Sequence, residues 1–280
     1  MPNGPIAAQS GAGRDVLGVG LPGRALVIIM SFMVEQRSAL ITTTCCLLLG
    51  FTTLADAEVS QAVVDSISAA VSQGSVDDLT TIRNQVSAGD DAESIYLRAY
   101  FDWRIAGLLD DSQKKQRKAI LKDARRELSR ALENNPEDAE VLALRGSVIG
   151  QSITGAFSGM RLGPKASRDL DNAFELAPAN PRVALLRGIN FYFTPAAFGG
   201  GKDKAESEFA RARALFADAD SDSGWPDWGQ VDVLAWLGQM LAEQGKSEEA
   251  AAIYDEALRL DSDHHWILQL KSALVNKPAT

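Results

Sequence analysis

Leu234-Ala235-Trp236-Leu237-Gly238-Gln239-Met240-Leu241-Ala242-Glu243-Gln244-Gly245-Lys246-Ser247-Glu248-Glu249-Ala250-Ala251-Ala252-Ile253-Tyr254-Asp255-Glu256-Ala257 carries the fold in miniature. Leu234, Leu237, Gly238 and Leu241 fall at i, i+3, i+4 and i+7, one face of a helix. Gly245 interrupts that run. Ala250, Tyr254 and Ala257 then fall at i, i+4 and i+7 on a second helix. Small residues on such a face let a neighbouring helix approach closely, and the large one fills the space between them.

The second-helix pattern recurs upstream. Ala124-Leu128-Ala131, Ala166-Leu170-Ala173 and Ala205-Phe209-Ala212 repeat it, with 42, 39 and 45 residues between successive leading alanines. Internal periods of this size mark a solenoid built of helix pairs. Before each copy stands a first-helix motif: Leu97-Arg98-Ala99, Leu144-Arg145-Gly146, Leu186-Arg187-Gly188 and finally Leu237-Gly238. Pro136 and Pro178 close two units, as proline stops a helix and sets the turn to the next. Ser262 takes that place in the last unit.

These residues resemble the tetratricopeptide (TPR) repeat over roughly Ala92–Ser262, with Leu234, Leu237, Gly238, Leu241, Gly245, Ala250, Tyr254 and Ala257 matching its motif in order. The resemblance implies an all-α fold, an α-solenoid of antiparallel helix pairs wound as a TPR-like superhelix, with first helices lining a concave groove. The units exceed the usual repeat of about 34 residues, and the excess is expected between the two helices of each unit. Residues 58–91 read as N-terminal capping helices through Val63, Val64, Ile67, Ala70, Val71, Leu79, Ile82 and Val86. Residues 92–280 read as about four helix pairs plus a C-terminal cap bearing Trp266, Ile267, Leu270 and Leu274.

Residues 1–57 read as an upstream extension and a cleavable signal peptide. Ser38–Ala55 carries no charge, Arg37 precedes it, and Ala55-Asp56-Ala57 offers a small-residue cleavage site with Glu58 next. Threonines between Thr42 and Thr53 and a length below the roughly 20 apolar residues of a bilayer span argue against a retained anchor. Thr42-Thr43-Thr44 ahead of Cys45 departs from a lipoprotein box. Met30 and Met33 are alternative starts to Met1. The reading places the mature chain in the periplasm or outside the cell, with no stable membrane span after cleavage. Cys45 and Cys46 both fall in the leader, so the mature chain holds no thiol. Gly18-Val19-Gly20-Leu21-Pro22-Gly23 matches a dinucleotide-loop pattern but lacks the strand and helix that give it meaning.

Composition narrows the function. The net charge is -9 and the pI about 4.9, which disfavours nucleic acid as a partner. With two adjacent histidines, His264 and His265, and two leader cysteines, neither a metal site nor a catalytic set is expected. No nucleophile elbow or H-E-x-x-H occurs, Gly199-Gly200-Gly201-Lys202 fails the phosphate-loop spacing, and no cofactor is expected.

Binding residues are sought in two places. First-helix register turns Glu93, Tyr96, Tyr100, Trp103, Arg182, Tyr192 and Phe193 toward the groove, and such aromatics and arginines often anchor partners. The same aromatic stripe is equally what a core would need. Two insertions, Gly150–Pro164 with Phe157 and Met160, and Thr194–Lys202 with Phe198, read as glycine-rich loops on a rigid scaffold. The functional expectation is a non-catalytic periplasmic scaffold that binds a protein or peptide partner in its groove. The alternative is a small-ligand-binding or solute-transporter accessory protein that uses the insertion loops.

Overall fold

The computed structural model describes residues 63–66, 68–85, 91–218 and 228–275. The leader, its cleavage site at Ala57, both cysteines, Ile67 and Val86 lie outside the described residues, as does the segment 219–227.

The helices pair as the alanine pattern requires. After helical residues 63–66 and 68–72 come α1 (Val76–Gln85), α2 (Ala92–Leu108), α3 (Lys114–Asn134), α4 (Ala139–Gln151), α5 (Ala156–Leu176), α6 (Pro181–Phe193), α7 (Lys202–Asp218), α8 (Gln230–Glu243), α9 (Ser247–Leu260) and α10 (His265–Val275). Pairs α2/α3, α4/α5, α6/α7 and α8/α9 form four antiparallel units, α1 packs on α2, and α10 packs on α9 and α8. The described residues contain no strand. The chain is an all-α TPR-like solenoid.

Each start has a local cause. Asp91, Asp138 and Asn180 cap α2, α4 and α6 by accepting from Ser94, Val141 and both Arg182 and Val183 backbone N–H groups. Pro181 occupies the first turn of α6, where its missing N–H costs nothing.

Within each of the last three units a glycine of the first helix receives the large residue of the second. A Cβ at Gly146 would stand 2.8 Å from Leu170 Cγ, at Gly188 2.6 Å from Phe209 Cε1, and at Gly238 2.3 Å from Tyr254 Cε1. The flanking alanines Ala124, Ala166, Ala205 and Ala250 are wholly buried. Beside this crossing runs a repeated ion pair, from the arginine before the small residue to the acid before the large one: Arg98–Glu127 at 3.2 Å, Arg145–Asp169 at 2.7 Å, and Arg187–Glu208. The last unit has Leu237 and Ile253 at these positions.

The extra residues do not all lie where expected. In the first two units they extend the second helix: α3 and α5 are each 21 residues long. Much of the expected Gly150–Pro164 loop is therefore helix, and only 152–155 lie between α4 and α5. Pro164 is accommodated inside α5, preceded by Gly163, whose missing Cβ removes the clash a proline imposes on its predecessor. In the last unit the long connection precedes α8, while α8 turns into α9 through Gly245 at φ 80°.

Candidate functional site

The inner face formed by the first helices is filled by its own side chains. Tyr96 donates its hydroxyl to Glu140 Oε2 at 3.0 Å and accepts from Trp228 Nε1 at 3.2 Å. Glu140 also accepts from Asn180 Nδ2 at 2.6 Å and Arg182 Nε at 2.8 Å. Burial, reinforced by the Glu140 charge, pushes the Tyr96 phenol well above its ordinary value. The Tyr100 ring lies 4.5 Å from Trp228, and the Trp103 ring 6.1 Å from each of them. Arg104 sits over Tyr100 and Trp103 and pairs with Asp232 at 2.7 Å. Ser72 donates to Asp261 at 3.2 Å, tying the N-terminal helical segment to the turn before α10.

This corrects the groove reading of four residues. Tyr96, Tyr100, Trp103 and Arg182 are only 0, 1, 8 and 2% exposed. They do face inward, as the register requires. The superhelix curls until α2 meets the start of α8, so what they face is protein. Glu93 is half-buried at the start of α2.

Tyr192 and Phe193 have a different setting. Phe193 is 68% exposed and meets Tyr192 edge-on at 5.0 Å and Trp236 edge-on at 5.7 Å. Trp236 stacks on buried Phe209 at 6.0 Å and meets Trp266 at 5.4 Å. First helices α6 and α8 and the cap α10 thus supply one partly exposed aromatic patch. Its rim is charged. The Tyr192 hydroxyl donates to Glu243 and accepts from Gln239 Nε2 at 3.1 Å, while Lys202 pairs with Glu243 at 2.5 Å and lies 5.9 Å from the Tyr192 ring. Burial and the bond to Glu243 raise the Tyr192 phenol to about 12, so it stays a neutral donor at physiological pH. The sequence reading missed Trp236 and Trp266 as members. Their signal was helical spacing, which core residues share.

Phe157, Met160 and Phe198 are exposed at 81, 65 and 73%. Phe157 and Met160 project from the first turns of α5. Phe198 ends the short 3-10 turn Ala196–Phe198, followed by glycines that the chain path requires: Gly201 has φ 118°, and a Cβ at Gly200 would meet Thr194 O at 2.1 Å.

The described residues also form recesses. One, about 380 Å³, lies between α7, α8 and α9 beside the Arg213–Glu256 pair. Another, about 160 Å³, is lined by Ser68, Arg104, Trp228, Asp232, Asp261 and His264. His264 is buried with its Nδ1 lacking a partner, whereas exposed His265 contacts Gln269 at 2.6 Å. Burial lowers the His264 pKa, with Asp232 and Asp261 opposing and Arg104 assisting. The two histidines diverge, and among the described residues no group of three metal-ligating side chains gathers.

No protein-family model matches the chain, and no curated protein matches it. Among solved structures it is similar to the HusA haemophore from Porphyromonas gingivalis, at 26% identity and a TM-score of 0.54 over 67% of this chain and 93% of that one. It is also similar to a thermophilic TPR protein of Thermus thermophilus, at 15% identity and a TM-score of 0.51 over 79% and 98% of the two chains. That second likeness concerns the fold.

Proposed function

From the premise that the chain is a TPR-like helical repeat protein, we propose that it is a non-catalytic binding scaffold whose recognition surface is the aromatic patch of α6, α8 and α10. The partner is a protein segment or peptide, and the scaffold works after export to the periplasm or beyond. The observation that carries this reading is Phe193: a large aromatic left mostly in solvent at the end of a first helix, backed by Tyr192 and Trp236, in a chain that buries its α2 aromatics. A rigid aromatic cluster with a satisfied polar rim is the usual make-up of an interface anchor. The leader supports export, and its test is N-terminal sequencing of protein from the periplasm, which should begin at or near Glu58.

A photo-crosslinking residue at Phe193 should capture one defined partner, while the same residue at Leu176, at the far end of a second helix, should not. Equal labelling from both positions would refute the assignment.

A second reading has its own support. The likeness to a haemophore, together with several aromatic rings around Tyr192, favours a flat, apolar small ligand such as haem at the same patch. Haemin titration followed by absorbance separates the two. Saturable binding lost in Tyr192→Ala and Phe193→Ala would favour the small ligand, and binding unchanged by either would dismiss it.

A further inference from the structure

The turns from first to second helix in the second and third units share one edge of the solenoid. The ends of α4 and α6 adjoin there, since a Cβ on Gly150 would stand 3.7 Å from Asn190 Oδ1. Three of the most exposed large apolar side chains in the described residues, Phe157, Met160 and Phe198, belong to these two turns.

The α5 part of this edge carries charge opposite to that of the chain. The protein carries -9 overall, yet residues 141–168 contain four basic residues and no acid. Arg145 is paired with Asp169, which leaves Arg161, Lys165 and Arg168 as the cations on this stretch of α5, whereas Arg182, Arg187 and Lys202 in the next unit are each paired with an acid. At a helical 100° per residue, Phe157, Met160, Arg161 and Pro164 lie on one face of α5, with Lys165 beside it. All five are exposed, while Leu162 on the opposite side is buried against Ile149. Arg161 and Lys165 have no ion-pair partner among the described residues. In the next unit Lys204 follows Phe198 and donates to the Gly199 carbonyl, with Asp203 the nearest acid in sequence.

The α5 segment also overhangs. From the crossing at Gly146 and Ala166, α4 continues five residues to Gln151, whereas α5 reaches back ten residues to Ala156. At about 1.5 Å per residue the first turn of α5 stands roughly 7 Å beyond the end of α4. Phe157 and Met160 therefore sit on a projection. A protein anchor seeks a pocket in its partner. Phenylalanines projecting from successive turns of one edge, with arginine and lysine set beside them, suit a planar boundary that accepts apolar tips and holds anionic groups at the level of the cations.

We propose that this edge docks the protein onto an anionic phospholipid surface, with Phe157, Met160 and Phe198 entering the headgroup boundary and Arg161, Lys165 and Lys204 held by lipid phosphates. The inference uses residues distinct from the aromatic patch and stands without the partner assigned to that patch.

The test is co-sedimentation of the full chain with phosphatidylcholine vesicles, with and without about a third phosphatidylglycerol, at low and high salt. Binding should favour the anionic vesicles at least about tenfold and weaken with salt, because each cation near such a surface adds to the attraction. Phe157→Ser with Phe198→Ser, and separately Arg161→Glu with Lys165→Glu, should each remove most of that preference. Leu176→Ser, on the opposite edge, should not. All substituted side chains are exposed, so circular dichroism melts should match the parent and exclude unfolding as the cause. Equal binding to both vesicle types, or binding indifferent to all substitutions, would assign membrane contact to the leader and overturn the proposal. Absence of vesicle binding, or loss of a captured protein partner in the edge variants without any effect on vesicles, would overturn it too.

Discussion

Replacing Gly188 by alanine sets two magnitudes against each other. A helix interior favours alanine over glycine by about 1 kcal/mol. Against this, the new Cβ would stand 2.6 and 2.7 Å from Cε1 and Cδ1 of Phe209, distances at which something must move. Phe209 is fully buried, and Trp236 stacks on it at 6.0 Å, so the ring has little room to retreat. Overpacking of this kind costs roughly 1–3 kcal/mol, and the net expectation is a loss of up to about 2 kcal/mol. For a folded unit of this size that lowers Tm by up to roughly 8 °C. Gly159→Ala is the control. It too lies in a helix, but its Cβ would meet only Ile153 at an ordinary 3.6 Å, so it should stabilise by about 0.5–1 kcal/mol. The decisive assay is a double-mutant cycle by urea unfolding with Phe209→Leu. The first unit carries Ala99 and Leu128 at the corresponding positions, both fully buried. The pair Gly188→Ala/Phe209→Leu should therefore recover at least about 1 kcal/mol relative to the sum of its singles. Additive singles, or a Gly188→Ala variant more stable than the parent, would refute the size-complementarity argument.

Trp103→Ala should cost about 3–5 kcal/mol of stability, as truncation of a buried aromatic does, and any loss of partner binding should follow the loss of fold measured by circular dichroism. Glu140→Leu leaves Arg182 buried without its carboxylate and should destabilise by about 3–5 kcal/mol in denaturant melts. The pH dependence follows from His264, whose folded pKa lies below the ordinary 6.5. The unfolded chain takes up the proton first, so its stabilising contribution is complete above that value and is lost as pH falls through it toward the folded pKa. Tm should fall as pH drops through the ordinary histidine value of 6.5, and His264→Gln should flatten that slope.

How much of this was legible depended on range. The Ala–large–Ala pattern named its residues correctly because the small-on-large crossing is local to one unit. The same locality left an ion pair in view and unread: Arg98, Arg145 and Arg187 each precede the small residue, and Glu127, Asp169 and Glu208 each precede the large one. The insertions were harder. Gly155, Gly159, Gly163 and Pro164 read as loop by propensity. Packing of Leu162 and Ala166 against Ile149 carries α5 through them, a tertiary effect that propensity does not contain. For the inner face, register identified which way Tyr96, Tyr100 and Trp103 point. It said nothing of what lies opposite, because Trp228 and Asp232 stand 132 and 128 residues from the side chains they bond, Tyr96 and Arg104.

That distant closure decides where binding can occur. A helical-repeat groove is available only while the facing first helices stay apart by more than their side chains can span. Here Tyr100 and Trp228 are 4.5 Å apart ring to ring, and Arg104 reaches Asp232. A ligand entering the centre would have to displace a hydrogen-bonded cluster around Glu140, leaving Arg182 or Tyr96 without its partner, at a cost of several kcal/mol before any contact is gained. The inner aromatics therefore act as a strut that fixes curvature. Among the described residues, the large aromatic side chains most exposed to water are at the ends of first helices and at the turns beyond them: Phe193 on one surface, Phe157 and Phe198 on another. On the proposed reading, a scaffold closed at its centre binds from its rim, and there the same fold offers two chemically distinct faces, one aromatic with a neutral phenol and a compensated ion pair, the other apolar and, on α5, cationic.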